Sequence, residues 1–291
     1  MRKGLLIGTV LLAAGVAAGW GITMPRSDGP EVLAGLTPDP ENGRRVFLAG
    51  GCASCHAAPE GENDLVLAGG QRFETPFGTF VAPNITPDPG AGIGDWSAVD
   101  LWNAMHHGTS PEGAHYYPAF PYSSYVRATP QDVVDLHAYM GTLPASDTPS
   151  QPHDLGFPFS VRASIGGWKL LFLTDGYVMP ASDDPQIMRG RYLVEALGHC
   201  AECHTPRNGL GALDTARWLD GAPNPSGSGQ IPGIAPDKLD WPANDIAYYL
   251  ETGFTPSFDS VGGHMAAVVK NYAQLPPEDG EAVAAYLKAL P

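Results

Sequence analysis

The sequence predicts an all-α fold of two similar domains in tandem, joined by a linker, with long Pro- and Gly-rich loops and one N-terminal hydrophobic segment. Three observations predict it. A Cys-x-x-Cys-His motif occurs once in each half of the 291 residues. The residues around each copy repeat as well. Short helical runs alternate with stretches punctuated by many of the 36 Gly and 29 Pro, too many for long helices. A chain of this length holds two domains of ordinary size, each with its own core.

The first element is the N-terminal segment. Met1, Arg2 and Lys3 precede an uncharged run from Gly4 to Ile22, which Pro25 and Arg26 end. A positive start followed by an apolar run is an export signal. The run is longer than a usual signal-peptide core and just long enough to span a bilayer, while Val16-Ala17-Ala18 offers a small-residue cleavage site. Residues 1–24 therefore read as a membrane anchor, with a removed signal peptide as the alternative. In either case the body is placed on the periplasmic side of a bacterial cytoplasmic membrane, anchored or soluble. The formal charge of −15, from 31 acidic residues against 16 Lys and Arg, excludes nucleic acid as a partner, because nothing here neutralises phosphates. A basic protein partner suits it, and so does an acidic surface that keeps an exported protein soluble.

The two motifs, Cys52-Ala53-Ser54-Cys55-His56 and Cys200-Ala201-Glu202-Cys203-His204, use all four cysteines. In an exported chain an even cysteine count first suggests disulfides. A CxxC pair alone suits a thioredoxin-like redox site, yet neither reading needs a His at the next position in both copies, and no βαβ context is present. A zinc site favours a reducing compartment and closer ligand pairs. Covalent haem needs this spacing: two thiols about one helical turn apart each form a thioether with a haem vinyl group, and the next imidazole reaches the iron. Two haem c groups are the cofactors expected, bound through Cys52, Cys55, Cys200 and Cys203, with His56 and His204 as axial ligands.

The repeat then places the remaining elements. Arg44 to Leu48 and Arg191 to Val194 form a helical pattern ahead of each motif, each leading to a Gly two residues before the first Cys. Downstream, Pro83-Asn84-Ile85-Thr86-Pro87-Asp88 matches Pro232-Gly233-Ile234-Ala235-Pro236-Asp237, and Asp95-Trp96 matches Asp240-Trp241. A helix from Asp100 to His107 ends at Gly108, and its counterpart from Asp245 to Thr252 ends at Gly253, both suited to a left-handed C-cap. Asp132 to Leu143, with Tyr139, repeats as Asp279 to Leu290, with Tyr286. The domains are expected at 36–144 and 188–291. The linker, 145–187, carries an apolar helix-like run from Ile165 to Leu173 around Trp168 and Lys169, which packs between the domains or forms a docking surface for a partner.

Each half, with its motif helix, long loop, helix, ligand loop and C-terminal helix, resembles the cytochrome c fold over nearly all of residues 40–144 and 188–291. In that fold the haem serves as much of the core of a small domain, and a Met on the loop before the last helix usually supplies the sixth iron ligand. The resemblance gives that role to Met265, in Gly262-Gly263-His264-Met265-Ala266, where a soft thioether raises the potential. Counted from the preceding Gly, the equivalent residue in the first half is Phe120, which cannot ligate iron. His115, on the same loop, is the favoured substitute. Met105 aligns with Leu250 and reads as core; His106 and His107 align with Glu251 and Thr252 and read as solvent-facing. Trp96, Trp241, Arg72 and Arg207 are candidate donors to haem propionates.

The stretch from His115 to Tyr125 resembles the distal loop of the multihaem cytochrome c subunits of bacterial membrane-bound dehydrogenases acting on alcohols, gluconate or aldehydes, whose members typically carry Met where Phe120 stands. Thr75-Pro76-Phe77-Gly78-Thr79, Asn84-Ile85-Thr86-Pro87-Asp88 and Cys203-His204-Thr205-Pro206-Arg207-Asn208 extend the resemblance. It implies an electron carrier rather than an enzyme. The donor is a dehydrogenase catalytic subunit, and the acceptor a cytochrome or oxidase of the respiratory chain. An open first haem reacting with peroxide or thiosulfate is the alternative that Phe120 raises.

Overall fold

The structure, a computed structural model, describes residue 15 and residues 19–224 and 229–291. In chain order its helices are α1 (Pro40–Ala49), α2 (Cys52–His56), α3 (Ala98–Trp102), α4 (Tyr122–Tyr125), α5 (Pro130–Met140), α6 (Ser164–Phe172), α7 (Pro185–Tyr192), α8 (Ala201–His204), α9 (Ala243–Thr252), α10 (Met265–Tyr272) and α11 (Pro277–Ala289). Two small antiparallel ladders accompany them: β1 (Arg72–Thr75) with β2 (Gly78–Val81), and β3 (Ala222–Pro223) with β4 (Gln230–Ile231).

Each domain is organised by the crossing of its first and last long helices. Asp39 caps α1 by accepting from the Glu41 and Asn42 N–H groups, and Asp184 caps α7 through Gln186 and Ile187; in both a Pro follows, where its missing N–H is not needed. α1 crosses α5 at Gly43, and α7 crosses α11 at Gly190. A Cβ on Gly43 would overlap the Asp135 carbonyl, and one on Gly190 the Ala282 carbonyl, with the Cβ atoms of Tyr139 and Tyr286 next in line. Glycine is what lets the backbones approach. The second domain has one residue more between this glycine and its first Cys, and α7 continues into a π turn, Leu193–Leu197, that takes up the extra residue.

The predicted C-caps adopt the left-handed conformation, Gly108 at φ 59° and Gly253 at φ 78°. α3 starts from a Ser97/Asp100 capping box and runs into a second π turn, Asn103–His107. The loops that follow share their bonding: Tyr116 N–H donates to Gly108 O and Val261 N–H to Gly253 O, each at 2.7 Å. Isolated bridges Thr109–His115 and Phe254–Ser260 repeat as well. The fold is mainly helical as expected, but residues 72–81, read as loop, form a hairpin with Arg72 opposite Val81. Thr75 Oγ1 accepts from Phe77 N–H and donates to Gly78 O, which ties the turn.

One apolar core runs through both domains, from Phe47, Leu101 and Leu136 to Leu193, Leu250 and Tyr286. The linker is packed on both. Asp154 pairs with Thr79 beside β2, α6 lies on the first domain, and the Trp168 indole N–H reaches Leu210 O of the second at 2.9 Å. The expected anchor, residues 1–24, falls mostly outside the described residues, among which no helix is long and apolar enough to cross a membrane.

Candidate haem sites

The two motifs sit on α2 and α8 with matching second contacts. The His56 ring donates from Nδ1 to Pro83 O at 2.9 Å, and His204 from Nδ1 to Pro232 O at 2.7 Å. A carbonyl only accepts, so Nδ1 carries the proton in both rings and Nε2 keeps its lone pair. The backbone behind each ring is fixed the same way, His56 O accepting from Gly69 N–H and His204 O from Gly221 N–H. Desolvation lowers the pKa of both histidines against the opposing effect of the carbonyl bond. Each is a neutral imidazole of fixed tautomer, which is what a metal ligand needs.

All four thiols are free. Burial pushes Cys52 and Cys200 up to about 12 and Cys55 up to about 11, with Cys203 raised as well. A thioredoxin-like pair works through a lowered thiol pKa, and burial here acts in the opposite direction. Among the described residues no group of three His, Cys, Asp or Glu side chains comes together as a metal site. Haem fits. Ile85, Ile93 and Trp96 in the first half, and Ile234, Leu239 and Trp241 in the second, are packed on the core but only partly buried, apolar surface that a large apolar group would cover.

The motifs face one another across the domain boundary, near enough that Cys203 helps to raise Cys55. The contacts exchange in a pseudo-twofold manner. Ser54, inside the first motif, accepts from Asn271 Nδ2 at 3.1 Å, and Glu202, inside the second, accepts from Ser123 Oγ at 2.9 Å. Ser124 Oγ also lies 3.5 Å from Glu202 Oε1. Gly50 O accepts both Tyr125 OH, at 3.0 Å, and His199 Nε2 from the other domain, at 3.1 Å. This juxtaposition was not legible in the sequence.

Met265 opens α10, half-buried against the core. The structure corrects the expectation for His115. Its Nε2 donates to Thr23 O at 2.9 Å, and its Nδ1 accepts from Lys169 Nζ at 3.1 Å, so neither nitrogen is left for an iron. His106 and His107, expected in solvent, are half-buried: His106 stacks on Trp102 with centroids 4.3 Å apart, and His107 Nε2 meets Asp28 Oδ2 at 2.9 Å. Met105 is buried in the core like its counterpart Leu250. Phe120 packs edge-on among Tyr116, Tyr122 and Tyr125.

Of the propionate candidates, Arg207 is committed to the Glu202 carboxylate and to Gly211 O. Arg72 stands exposed on β1. Trp96 and Trp241 sit at matching half-buried positions against the core. Sequence reasoning missed Glu195, a fully buried carboxylate on the π turn Leu193–Leu197. It accepts from Met179 N–H at 3.0 Å and Tyr286 OH at 2.9 Å, and so ties the linker to the second domain. It placed Lys169 in the apolar linker run but not its role: the Nζ donates to His107 O and Gly108 O at 2.7 and 2.6 Å. Burial pulls Lys169 down to about 7, against acceptors and a Tyr122 ring face that favour its charged form.

Comparison with known proteins agrees with this geometry. The Cytochrome c family description matches twice, over residues 40–144 and 187–291. A diheme cytochrome c-type protein of Cereibacter sphaeroides is 58% identical over all of this chain and 99% of its own length. The fructose dehydrogenase cytochrome subunit of Gluconobacter japonicus is 37% identical over 97% of this chain, which spans 58% of that protein. The gluconate 2-dehydrogenase cytochrome c subunit of Pantoea cypripedii is 34% identical over 86% of this chain, covering 59% of its own length. With a cytochrome c domain in each half and two haem c groups to carry electrons, the chain belongs to the cytochrome c family.

Proposed function

We propose that this chain carries electrons from the catalytic subunit of an exported or membrane-bound dehydrogenase to a cytochrome or oxidase of the respiratory chain, on the periplasmic side of the membrane. Cys52 and Cys55 hold one haem through thioethers, Cys200 and Cys203 the other, with His56 and His204 as axial ligands and Met265 as the second ligand in the second domain. Haem iron supplies one-electron chemistry by alternating between ferric and ferrous states.

The observation that carries the reading is the pair of Nδ1–H bonds to Pro83 O and Pro232 O, which leave the Nε2 lone pair of each motif histidine to bind a metal. The bonds also raise ligand basicity and hold the ring plane through a change of charge at the metal. Ser54, Glu202 and His199 tie each motif segment to the opposite domain, which holds the two sites side by side. The cytochrome subunits among the relatives support a dehydrogenase as donor. The test is purification from detergent-extracted membranes: a dehydrogenase that accompanies this chain should reduce both haems when given its substrate. Haems that stay oxidised with every accompanying enzyme contradict the assignment of the donor.

A further inference from the structure

The two distal loops share their backbone bonds, but one is covered and the other is bare. In the first domain the residues ahead of α1 and helix α6 lie across the end of α3 and the loop. Asp28 takes the Trp102 indole N–H and pairs its backbone with the Asn103 amide, while Lys169 caps the carbonyls of His107 and Gly108. Asn103, Thr109 and His115 are thereby 7%, 2% and 5% exposed. Their counterparts by register are Tyr248, Phe254 and Ser260. Tyr248 and Phe254 are 53% and 47% exposed, and Phe258, at the position of Gly113, is 89% exposed. Phe258 also holds a left-handed backbone, φ 65°, a conformation costly for a bulky residue.

Three aromatic rings on solvent beside a cleft of about 210 Å³, lined by Asp245, Tyr248, Thr255, Pro256 and Phe258, are not what a free surface selects. The acidic side chains Asp245, Glu251 and Asp259 stand around them. Among the described residues no side chain caps the carbonyls of Thr252 and Gly253, the negative end of α9 that Lys169 serves in α3.

We infer that Tyr248, Phe254 and Phe258, with the acidic rim of Asp245, Glu251 and Asp259, form the docking surface for a basic electron-transfer protein, which lays an apolar ridge bearing lysine or arginine over this face as α6 lies over its counterpart. The occupant follows from the covered copy, an apolar helix carrying one cation, and from the sign of the rim. Aromatic side chains at the centre supply contact area with little loss of conformational freedom, and the rim steers the approach. The inference rests on the electron-carrier reading and names the surface through which the second haem exchanges electrons.

The test uses mitochondrial cytochrome c, a strongly basic carrier, as the probe of the haem-loaded protein. Calorimetric titration at low ionic strength measures binding, and stopped-flow absorbance measures electron transfer. The unaltered protein should bind, with affinity falling as salt rises. F254S/F258S should weaken binding at least fivefold. E251Q/D259N should flatten the salt dependence, and it stays informative if the first pair disturbs the loop. Leu171→Ser, on the exposed side of α6, should change neither. The haem spectrum of each variant confirms an intact site, and binding is read without electron transfer, so failure of the docking surface is distinguishable from failure of the carrier. No binding by the unaltered protein, or equal affinity in both double variants, overturns the inference. So does a loss in F254S/F258S of vesicle binding or self-association with the probe still bound.

Discussion

The end of α3 and the end of α9 have the same backbone and opposite chemistry. Over α3 the cover belongs to the chain itself, and the surface beneath it is polar: Asn103, Thr109, Ser110 and His115 lie buried. At the end of α9 the residues Tyr248, Phe254 and Phe258 stand exposed, and the surface is aromatic. A permanent cover can satisfy buried hydrogen-bonding groups one by one, as Asp28, Thr23 and Lys169 do for Asn103 and His115, although Thr109 Oγ1 and His106 Nδ1 have no partner there among the described residues. A partner that comes and goes cannot guarantee such bonds, and apolar rings lose least when it leaves. One half of the duplication has thus become an internal joint, and the other half has kept an open face.

The largest effect separates the halves by their cofactors. Cys203→Ala should remove the haem of the second domain and leave that of the first, so that haem staining on a denaturing gel falls by about half; Cys55→Ala should do the converse. Two fully attached haems in either variant would refute the motif assignment.

A second test concerns the distal position. Phe120 stands where Met265 stands in the other half, and both nitrogens of His115 are taken. The reduced protein should therefore bind carbon monoxide at one haem only, and Phe120→Met should abolish that binding. If the unaltered protein binds none while Met105→Leu does, Met105 is the ligand of the first haem and the halves differ less than proposed.

How far these features were legible depends on the range of the contacts behind them. The haem motifs, the C-cap glycines and the doubled helix pattern are set by residues a few positions apart, and the repeat doubled each signal. His115 failed because its partners, Thr23 and Lys169, come from the N-terminal segment and the linker, both outside the repeat. His107 failed for the same reason, Asp28 reaching it from ahead of the domain, whereas His106 is covered by stacking on Trp102 one turn earlier. The hairpin at 72–81 was hidden by Pro76 and Gly78, which read as loop residues but shape its turn. The facing of the two motifs rests on Ser54 with Asn271 and Glu202 with Ser123, small polar residues that carry no pattern of their own.

The joint itself gives a smaller effect. The Trp102 indole N–H and His107 hold the Asp28 carboxyl below the usual carboxylate range, and Asp28→Ala removes both acceptor bonds. About 1–2 kcal/mol of local stability should be lost, read as faster hydrogen exchange at residues 102–108 with exchange at 247–253 unchanged. Equal change in both segments would mean that the arm stabilises the whole molecule rather than one face.

The unequal halves meet in a single measurement, the spectroelectrochemical titration of the haem-loaded protein beside Met265→Ala. The unaltered protein should show two one-electron waves. Met265→Ala should lower the upper wave by on the order of 0.1 V, within the span axial ligands command, and leave the lower wave in place. A single two-electron wave that Met265→Ala does not move would contradict both the thioether ligand and the division of labour between the domains.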